Sequence, residues 1–497
     1  MQLWVLGLVL GIVLHDAASV ARTTPATPLL SGNALLASFL IPKIVLAVAY
    51  GLLCRFTIRR LHQSRGFKYL NRLDRVTSLY RTAVLGLYMA DLYFGALLVL
   101  RRQLGDLFGV PSPATDRVIL IDELLFLLPP LLLLVFSWWA YYPIDRRLRE
   151  ASLIRMIDAG IPIHPIWTRG QYLLSQVRHQ IALILVPLLF LIAWSELVEL
   201  TMPSALFGNG SIDPRPGIQM AGAACIFLFA PVMIRHLWDT CPLPDGELRE
   251  RLTAMCSHHR VGVRELLLWR TYSGVINAAV MGLVRPLRFI LLTDALLEQL
   301  TRTQVEAVMA HELAHVRRHH LFWLLAVAGL LLVTLTNGWW LVLGWIDPLW
   351  MTESASVDHS RASSVSKGAP LVLSLLCWLV LFGWVSRRFE READTFAVQH
   401  LVHEADDGTD DTNEVNIDEA SVTVMVDALQ RVADLNHMPT RRRSWRHGSI
   451  AWRQRYLRTL VGLPTTRLDI ERHVFWIKLL TGLGIFATIA IYWYAEA

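Results

Sequence analysis

The sequence predicts a mainly α, polytopic membrane protein with about eight or nine spans and a small α+β domain. Hydrophobic residues make up 54% of the 497 residues and charged residues only 18%, against roughly 25% charged in soluble domains. The apolar residues are concentrated in runs close to the ~20 residues that a helix needs to cross a bilayer. Two polar segments between these runs, 235–320 and 386–473, are long enough to form the small domain.

Eight apolar runs have the length of a membrane span. They are residues 35–54, 82–100, 120–142, 180–200, 217–234, 321–346, 369–385 and 474–494. A ninth run, 3–14, is shorter and is followed by small residues at 17–21, so residues 1–21 fit either a signal peptide or a span. The same runs predict five consecutive segments: a membrane region with five or six spans, a first domain part, a two-span hairpin, a second domain part and a last span. Their bounds are 1–236, 237–320, 321–387, 388–473 and 474–497.

Charge distribution predicts the orientation of these spans. Residues 55–81 carry eight Lys or Arg against one Asp, whereas 201–216 contain only Arg215. By the positive-inside rule the basic loops face the cytoplasm, and both polar segments are then cytoplasmic as well. Only 101–117, with three arginines outside, departs from this rule. The prediction is a cell (inner) membrane protein with its site at the cytoplasmic face, or an endoplasmic reticulum protein in a eukaryote.

The net charge of +6 suits loops beside anionic lipid headgroups. Membrane lipids are therefore expected partners. The sequence has no nucleic-acid-binding motif, and no nucleic-acid partner is predicted. It gives no indication of the oligomeric state.

The sequence His-Glu-Leu-Ala-His at 311–315 is the main candidate for a functional site. On a helix, residues four apart share one face, so His311 and His315 can bind one metal ion. Glu312 is then placed to act as a general base toward a water molecule at that ion. The alternative is a buried helix that carries two histidines by chance.

A helix is expected around this motif. Thr303 and Glu306 fit a capping box at its start, and no Gly or Pro interrupts 302–320. Its metal-facing side is predicted to continue as far as His319.

Catalytic zinc takes three protein ligands and leaves one position for water. Glu390 is the strongest candidate for the third ligand, because it opens a helical stretch directly after the run 369–385. Asp394 lies one turn further on the same face and can accept the N–H of a ligand histidine. Glu392 is the competing ligand, but it points about 200° away from Glu390 around the helix. The alternative reading of both glutamates is a solvated or headgroup-level charge.

The remaining polar stretches have simpler interpretations. An amphipathic helix is predicted at 245–256, and strands are predicted at 263–268, 275–281 and 287–292. The acidic run 403–419 does not have the ligand spacing of a calcium loop and is interpreted as a solvated insertion.

The order His311-Glu312-x-x-His315, two predicted spans, then Glu390-x-x-Ala393-Asp394 resembles the membrane zinc metallopeptidase family that includes CAAX prenyl protease 1 and the heat-shock protease HtpX. The similarity extends from about 243 to 460 and includes 277–278, 291–297 and 445–457. It implies a gluzincin-type zinc peptidase domain.

The resemblance implies a role for each matching residue. His311, His315 and Glu390 correspond to the ligands of one Zn²⁺ per chain, Glu312 to the general base and Asp394 to a supporting aspartate. His447 and Arg453 correspond to a pair that stabilises the oxyanion near the substrate carbonyl. Asn277 and Ala278 lie in the stretch that would hold the substrate as an added strand.

This chain departs from the family pattern at two positions. Gly448 stands where relatives often have Pro after the histidine, which bears on the placement of His447. Arg391-Glu392 stand where an aromatic residue usually follows the ligand glutamate, which leaves the ligand itself unaffected.

The predicted function is that of an integral-membrane zinc-dependent endopeptidase that hydrolyses peptide bonds with zinc-activated water and a glutamate base. Its substrates would be prenylated tails or misfolded membrane proteins. An antirepressor-type signalling metallopeptidase and a catalytically silent membrane scaffold or transporter are the alternatives.

Overall fold

A computed structural model of the chain describes residues 7–8, 11, 32–61, 66–93, 120–158, 165–202, 213–272, 275–350, 359–405, 415–436, 438–466 and 468–496. The chain divides into two compact units, Met1–Asp239 and Thr240–Ala497. Most of the predicted short run 3–14, the loop 101–117 and much of the acidic run 403–419 lie outside the described residues.

All the regular secondary structure in the described part of the first unit is helical. Its elements are α1 (Gly32–Leu61), α2 (Gly66–Tyr93), α3 (Ile121–Asp158), α4 (Arg169–Gln176), a π-helical turn (Val177–Ala182), α5 (Leu183–Thr201) and α6 (Arg215–Leu237). Lys43 of α1 donates to Asp91 of α2 at 2.7 Å and to the carbonyl of Phe39. These contacts offset the cost of two charged groups among apolar helices.

Five described helical segments are long and apolar enough to cross a membrane. They are Phe39–Arg60, Glu123–Ala151, Arg169–Thr201, Arg215–Leu237 and Asp469–Ile491. A sixth arises if the bent pair Arg302–Arg317 and His320–Leu335 is one span. Many apolar side chains on these helices are exposed, such as Ile44, Phe190 and Phe486, as expected of surfaces that face lipid. The chain is thus a mostly helical membrane protein. The predicted eight or nine spans also include 3–14 and 82–100, which the structure describes only in part, and 369–385, which lies within a described helix.

The second unit contains a four-stranded sheet. Its strands are β1 (Thr240–Pro242), β2 (Glu265–Trp269), β3 (Ala278–Met281) and β4 (Phe289–Thr293), in the order β1-β2-β4-β3. β2 and β4 are parallel, whereas the other two pairs are antiparallel. β4 is buried along its whole length, and β3 lies at an edge. Three strands begin two or three residues later than the sequence predicts. β1 was not predicted, because three residues carry no alternation pattern.

The described part of the second unit also contains eight α-helices. They are α7 (Glu247–His258), α8 (Asp294–Gln299), α9 (Arg302–Arg317), α10 (His320–Trp350), α11 (His359–Ala405), α12 (Glu419–Leu435), α13 (Ile450–Arg458) and α14 (Asp469–Glu496). α9 packs against α11, α12 and β3. Ala310 and Ala314 of α9, and Ala393 and Ala397 of α11, are fully buried. Such small side chains let the two helix axes approach closely.

α9 begins two residues earlier than predicted. Thr301 is its N-cap: the Thr301 hydroxyl accepts from the backbone N–H of Gln304, and the Gln304 side chain accepts from the N–H of Thr301. The predicted Thr303–Glu306 box is therefore wrong. Glu306 is buried and instead forms an ion pair with Arg251.

The helix also ends sooner than predicted. α9 stops at Arg317, and His319 adopts a left-handed conformation with φ of 56°. α10 then starts at His320, at an angle of 52° to α9. The expectation that His319 continues the metal-facing side of α9 is therefore wrong, because the chain changes direction before that residue.

Candidate metal centre

Two helices bring three metal-binding groups together. His311 and His315 lie one turn apart on α9, and their Nε2 atoms are 3.3 Å apart. From α11, Glu390 places Oε2 3.7 Å from Nε2 of His311 and Oε1 3.8 Å from Nε2 of His315. Two atoms bound tetrahedrally to zinc at about 2.0–2.1 Å are roughly 3.4 Å apart. The three groups therefore have a spacing that fits one zinc ion.

The Glu390 carboxylate is buried, yet it stays ionised. Burial by itself raises the pKa of Glu390. The imidazole of His447, with Nδ1 at 2.9 Å, and the guanidinium of Arg453, at 3.4 Å, more than offset that effect. The net pKa lies well below the ordinary value. An ionised carboxylate between two imidazoles is a donor set that zinc prefers.

Asp394 lies one turn after Glu390 and is completely buried. Its Oδ1 is 3.0 Å from Nδ1 of His311, and its two oxygens accept from Nε and Nη2 of Arg453. Burial by itself raises the pKa of Asp394, but Arg453 and His311 lower it by a larger amount. The net pKa lies below the ordinary value, so the group is a carboxylate. This contact turns Nε2 of His311 toward Glu390 and His315.

Glu312 follows the first histidine and is half-buried. Its Oε2 accepts a hydrogen bond of 3.2 Å from the backbone N–H of Val280 in β3. Burial raises the pKa of Glu312 to about 7, an effect that His311 opposes and the Glu390 carboxylate reinforces. A carboxyl with such a pKa both accepts and releases protons near neutral pH.

His447 lies in a tight turn before α13. Ser444 and Gly448 pair through their backbones across this turn, and Gly448 has φ of 77°. Proline is restricted to φ near −65°, so proline would not fit at position 448 of this turn. The side chain of His447 is 52% exposed, whereas Arg453 is buried against Asp394.

Asn277 and Ala278 lie at the start of β3. The N–H of Asn277 donates to Oγ1 of Thr293 at 3.0 Å, and its carbonyl accepts from the N–H of Thr293 at 3.1 Å. These bonds attach β3 to β4. The opposite edge of β3 is the one from which Val280 reaches Glu312, so this edge borders the group of three metal-binding residues.

Glu392, the competing ligand, is not part of that group. Its Oε2 is 2.6 Å from Nε2 of His320, on the other side of His315. Sequence reasoning missed His320 because a continuous helix would place His319, not His320, near His315. The sequence signal that could have pointed to His320 was the pair His319-His320, which follows Arg317 and Arg318.

Part of this chain is similar to known proteins. Residues 242–433 match the profile of Peptidase family M48. A CAAX prenyl protease 1 homolog of Arabidopsis thaliana is 30% identical over 184 residues, which are 34% of this chain and 40% of that protein. A Protease HtpX homolog of Janthinobacterium sp. (strain Marseille) is 26% identical over 134 residues, 26% of this chain and 44% of that protein.

A CAAX prenyl protease 1 homolog of Oryza sativa subsp. japonica is 26% identical over 196 residues, 36% of this chain and 43% of that protein. This chain thus spans less than half the length of the curated relatives it matches. Among solved structures, S. mikatae Ste24p is similar with a TM-score of 0.45 and 14% identity, over 87% of this chain and 100% of that one. The family resemblance inferred from the motifs is confirmed: residues 242–433 match Peptidase family M48, and the similar proteins include a CAAX prenyl protease 1 homolog and a Protease HtpX homolog.

Proposed function

We propose that the chain is an integral-membrane zinc-dependent endopeptidase. The observation that carries this proposal is the convergence of Nε2 of His311, Nε2 of His315 and the Glu390 carboxylate at distances suited to one zinc ion. The match of residues 242–433 to Peptidase family M48 supports a peptidase, and the apolar helices support a membrane setting. The positive-inside pattern favours a site at the cytoplasmic face.

In this proposal His311, His315 and Glu390 hold one Zn²⁺. When bound, the ion lowers the pKa of its water to about 7 and polarises the substrate carbonyl. Asp394 keeps the His311 ring in the orientation that presents Nε2. Arg453 acts through Asp394 and Glu390, because its guanidinium is buried against these two carboxylates.

Glu312 is the general base. It takes a proton from the attacking water and passes it to the leaving amine. Burial raises the pKa of Glu312, which makes its carboxylate a better proton acceptor. The contact from Val280 holds its carboxylate beside β3.

The substrate is a peptide that adds to the edge of β3 opposite β4, at residues 277–281. Main-chain hydrogen bonds of this kind position a peptide independently of its side chains. His447 is the exposed donor that stabilises the developing oxyanion. The substrates are peptides or proteins presented at the membrane, and lipids surround the helices.

The experiment is to measure zinc content and cleavage of a casein-type substrate by the purified full chain in detergent. The wild type is expected to hold one zinc ion and to lose cleavage on chelation. His311→Ala is expected to lose both zinc and cleavage. Cleavage that persists without metal, or a wild type that takes up no zinc, would refute the proposal.

A further inference from the structure

The second nitrogen of His315 makes a contact that the proposed mechanism does not use. Its Nδ1 lies 2.9 Å from Nδ1 of His320. On the far side of that ring, Nε2 of His320 lies 2.6 Å from Oε2 of Glu392. His320 is 0% exposed and Glu392 is 3% exposed. An unbroken series of contacts therefore leads from a buried carboxylate to a metal-binding imidazole.

The break between α9 and α10 makes this series possible. The left-handed conformation of His319 turns the chain so that His320 faces back toward His315. The ring of Phe389 stacks on His320, with centroids 4.6 Å apart and planes 15° apart. Glu392 projects from α11 about 200° away from Glu390, so the two glutamates reach His315 from different sides.

The proton positions follow from the ligand atom. A neutral imidazole that gives Nε2 to a metal carries its hydrogen on Nδ1. His315 must then donate from Nδ1, so Nδ1 of His320 must be the acceptor. The hydrogen of His320 is consequently on Nε2, where Glu392 accepts it. Each ring has one tautomer, and the carboxylate at the end of the series selects both.

Two cations lie near Glu392. Nζ of Lys478, on α14, is 3.8 Å away, and Nε of Arg318 is 3.9 Å away. Lys478 also donates to the carbonyl of Arg318 at 2.9 Å, and Arg318 forms an ion pair with Glu471. A buried carboxylate with this support can remain an acceptor for His320.

We propose that His320 and Glu392 are positioning residues for the metal, acting through His315. Glu392 sets the tautomer and ring orientation of His320, and His320 does the same for His315. Asp394 is the carboxylate partner of His311 and contacts its ring directly. Glu392 is the carboxylate partner of His315 and acts on it through the imidazole of His320. This inference rests on the proposed zinc site.

The test measures the zinc dissociation constant of the full chain in detergent, by competition with a chelator. His320→Ala is expected to weaken zinc binding about 10–100-fold, the usual effect of losing a partner of a ligand histidine. His320→Gln keeps one acceptor and one donor on its amide. It is expected to bind zinc more tightly than His320→Ala.

Two matched variants control for loss of a buried polar group. His400→Ala removes a buried histidine of α11 that contacts His259. Glu306→Gln neutralises a buried carboxylate of α9 that pairs with Arg251. Both are expected to leave the zinc dissociation constant within about threefold of wild type, because neither group contacts a metal-binding residue.

A double-mutant cycle distinguishes a relay, in which Glu392 acts on His315 through His320, from two independent structural effects. Glu392→Gln is expected to weaken zinc binding in the wild type but to have no further effect in His320→Ala, because the connection is already broken. The absorption spectrum of bound Co²⁺ is expected to change in both single variants and in neither control.

Two results would overturn the relay while leaving the metallopeptidase proposal intact. One is a folded His320→Ala variant that binds zinc within about threefold of wild type. The other is a fully additive cycle. A wild type that binds no zinc would instead remove the metallopeptidase proposal, and the relay with it.

Discussion

The ion pair between Arg453 and Asp394 provides a sharp test of how the site is built. Asp394 is 0% exposed and Arg453 is 7% exposed. Arg453 donates to both Asp394 oxygens and lies 3.4 Å from Glu390. Arg453→Met keeps the apolar stem but leaves two buried carboxylates without their shared cation.

The expected cost is about 3–5 kcal/mol, the usual loss when one partner of a buried ion pair is removed. For a unit of about 150–250 residues, each kcal/mol corresponds to roughly 2–4 °C in the melting temperature. We therefore expect the melting temperature to fall by about 6–20 °C. Adding Asp394→Asn to this variant removes one stranded charge and is expected to restore part of the loss.

Thermal unfolding of the detergent-solubilised chain, followed by circular dichroism, measures this effect. Arg302→Met is the matched control, because Arg302 and its partner Glu247 are both exposed and such pairs contribute only about 0–1 kcal/mol. If Arg453→Met and the Arg302→Met control had the same melting temperature, the buried ion pair would not stabilise the site. A double variant less stable than Arg453→Met alone would contradict the charge argument as well.

Three further predictions address the base, the edge strand and acid stability. Glu312→Gln is expected to keep its zinc and to lower kcat/KM for peptide cleavage by about 10²–10⁴, which metal analysis and a peptidase assay measure together; wild-type activity in this variant would remove the base from the mechanism. Val280→Pro is expected to reduce cleavage without loss of zinc, because it removes the N–H that contacts Glu312, whereas Val280→Ala keeps that N–H and serves as its control. His259 and His400 contact each other, and burial lowers both pKa values to about 4. In the unfolded chain both histidines become protonated near pH 6.5. Their contribution to the stability of the folded state is therefore fully present above that pH and is lost as the pH falls toward 4. Melting temperatures measured at pH 7.5 and pH 5 would show this loss of stability. A pH dependence of the melting temperature that is unchanged in His400→Gln would contradict the assignment.

The parts of the site that sequence predicts well are those set by local spacing. His311, Glu312 and His315, like Glu390 and Asp394, owe their relative placement to the repeat of one helix. The resemblance to a family then linked the two helices, which spacing alone cannot do.

The features that were missed depend on tertiary context. Two overlapping patterns, Thr301-x-x-Gln304 and Thr303-x-x-Glu306, fit a capping box equally well, and burial of Glu306 against Arg251 is what separates them. No Gly or Pro marks the break at His319. The contact between His320 and Glu392 joins residues 72 positions apart, so no local pattern encodes it.

The most direct test of the central claim is zinc K-edge X-ray absorption of the purified full chain. The spectrum is expected to show two imidazole nitrogens and light oxygen ligands at ~2.0–2.1 Å, with one imidazole lost or zinc absent in His315→Ala. Sulfur ligands, or a spectrum unchanged by His315→Ala, would show that zinc binds elsewhere and would contradict the assignment of this site.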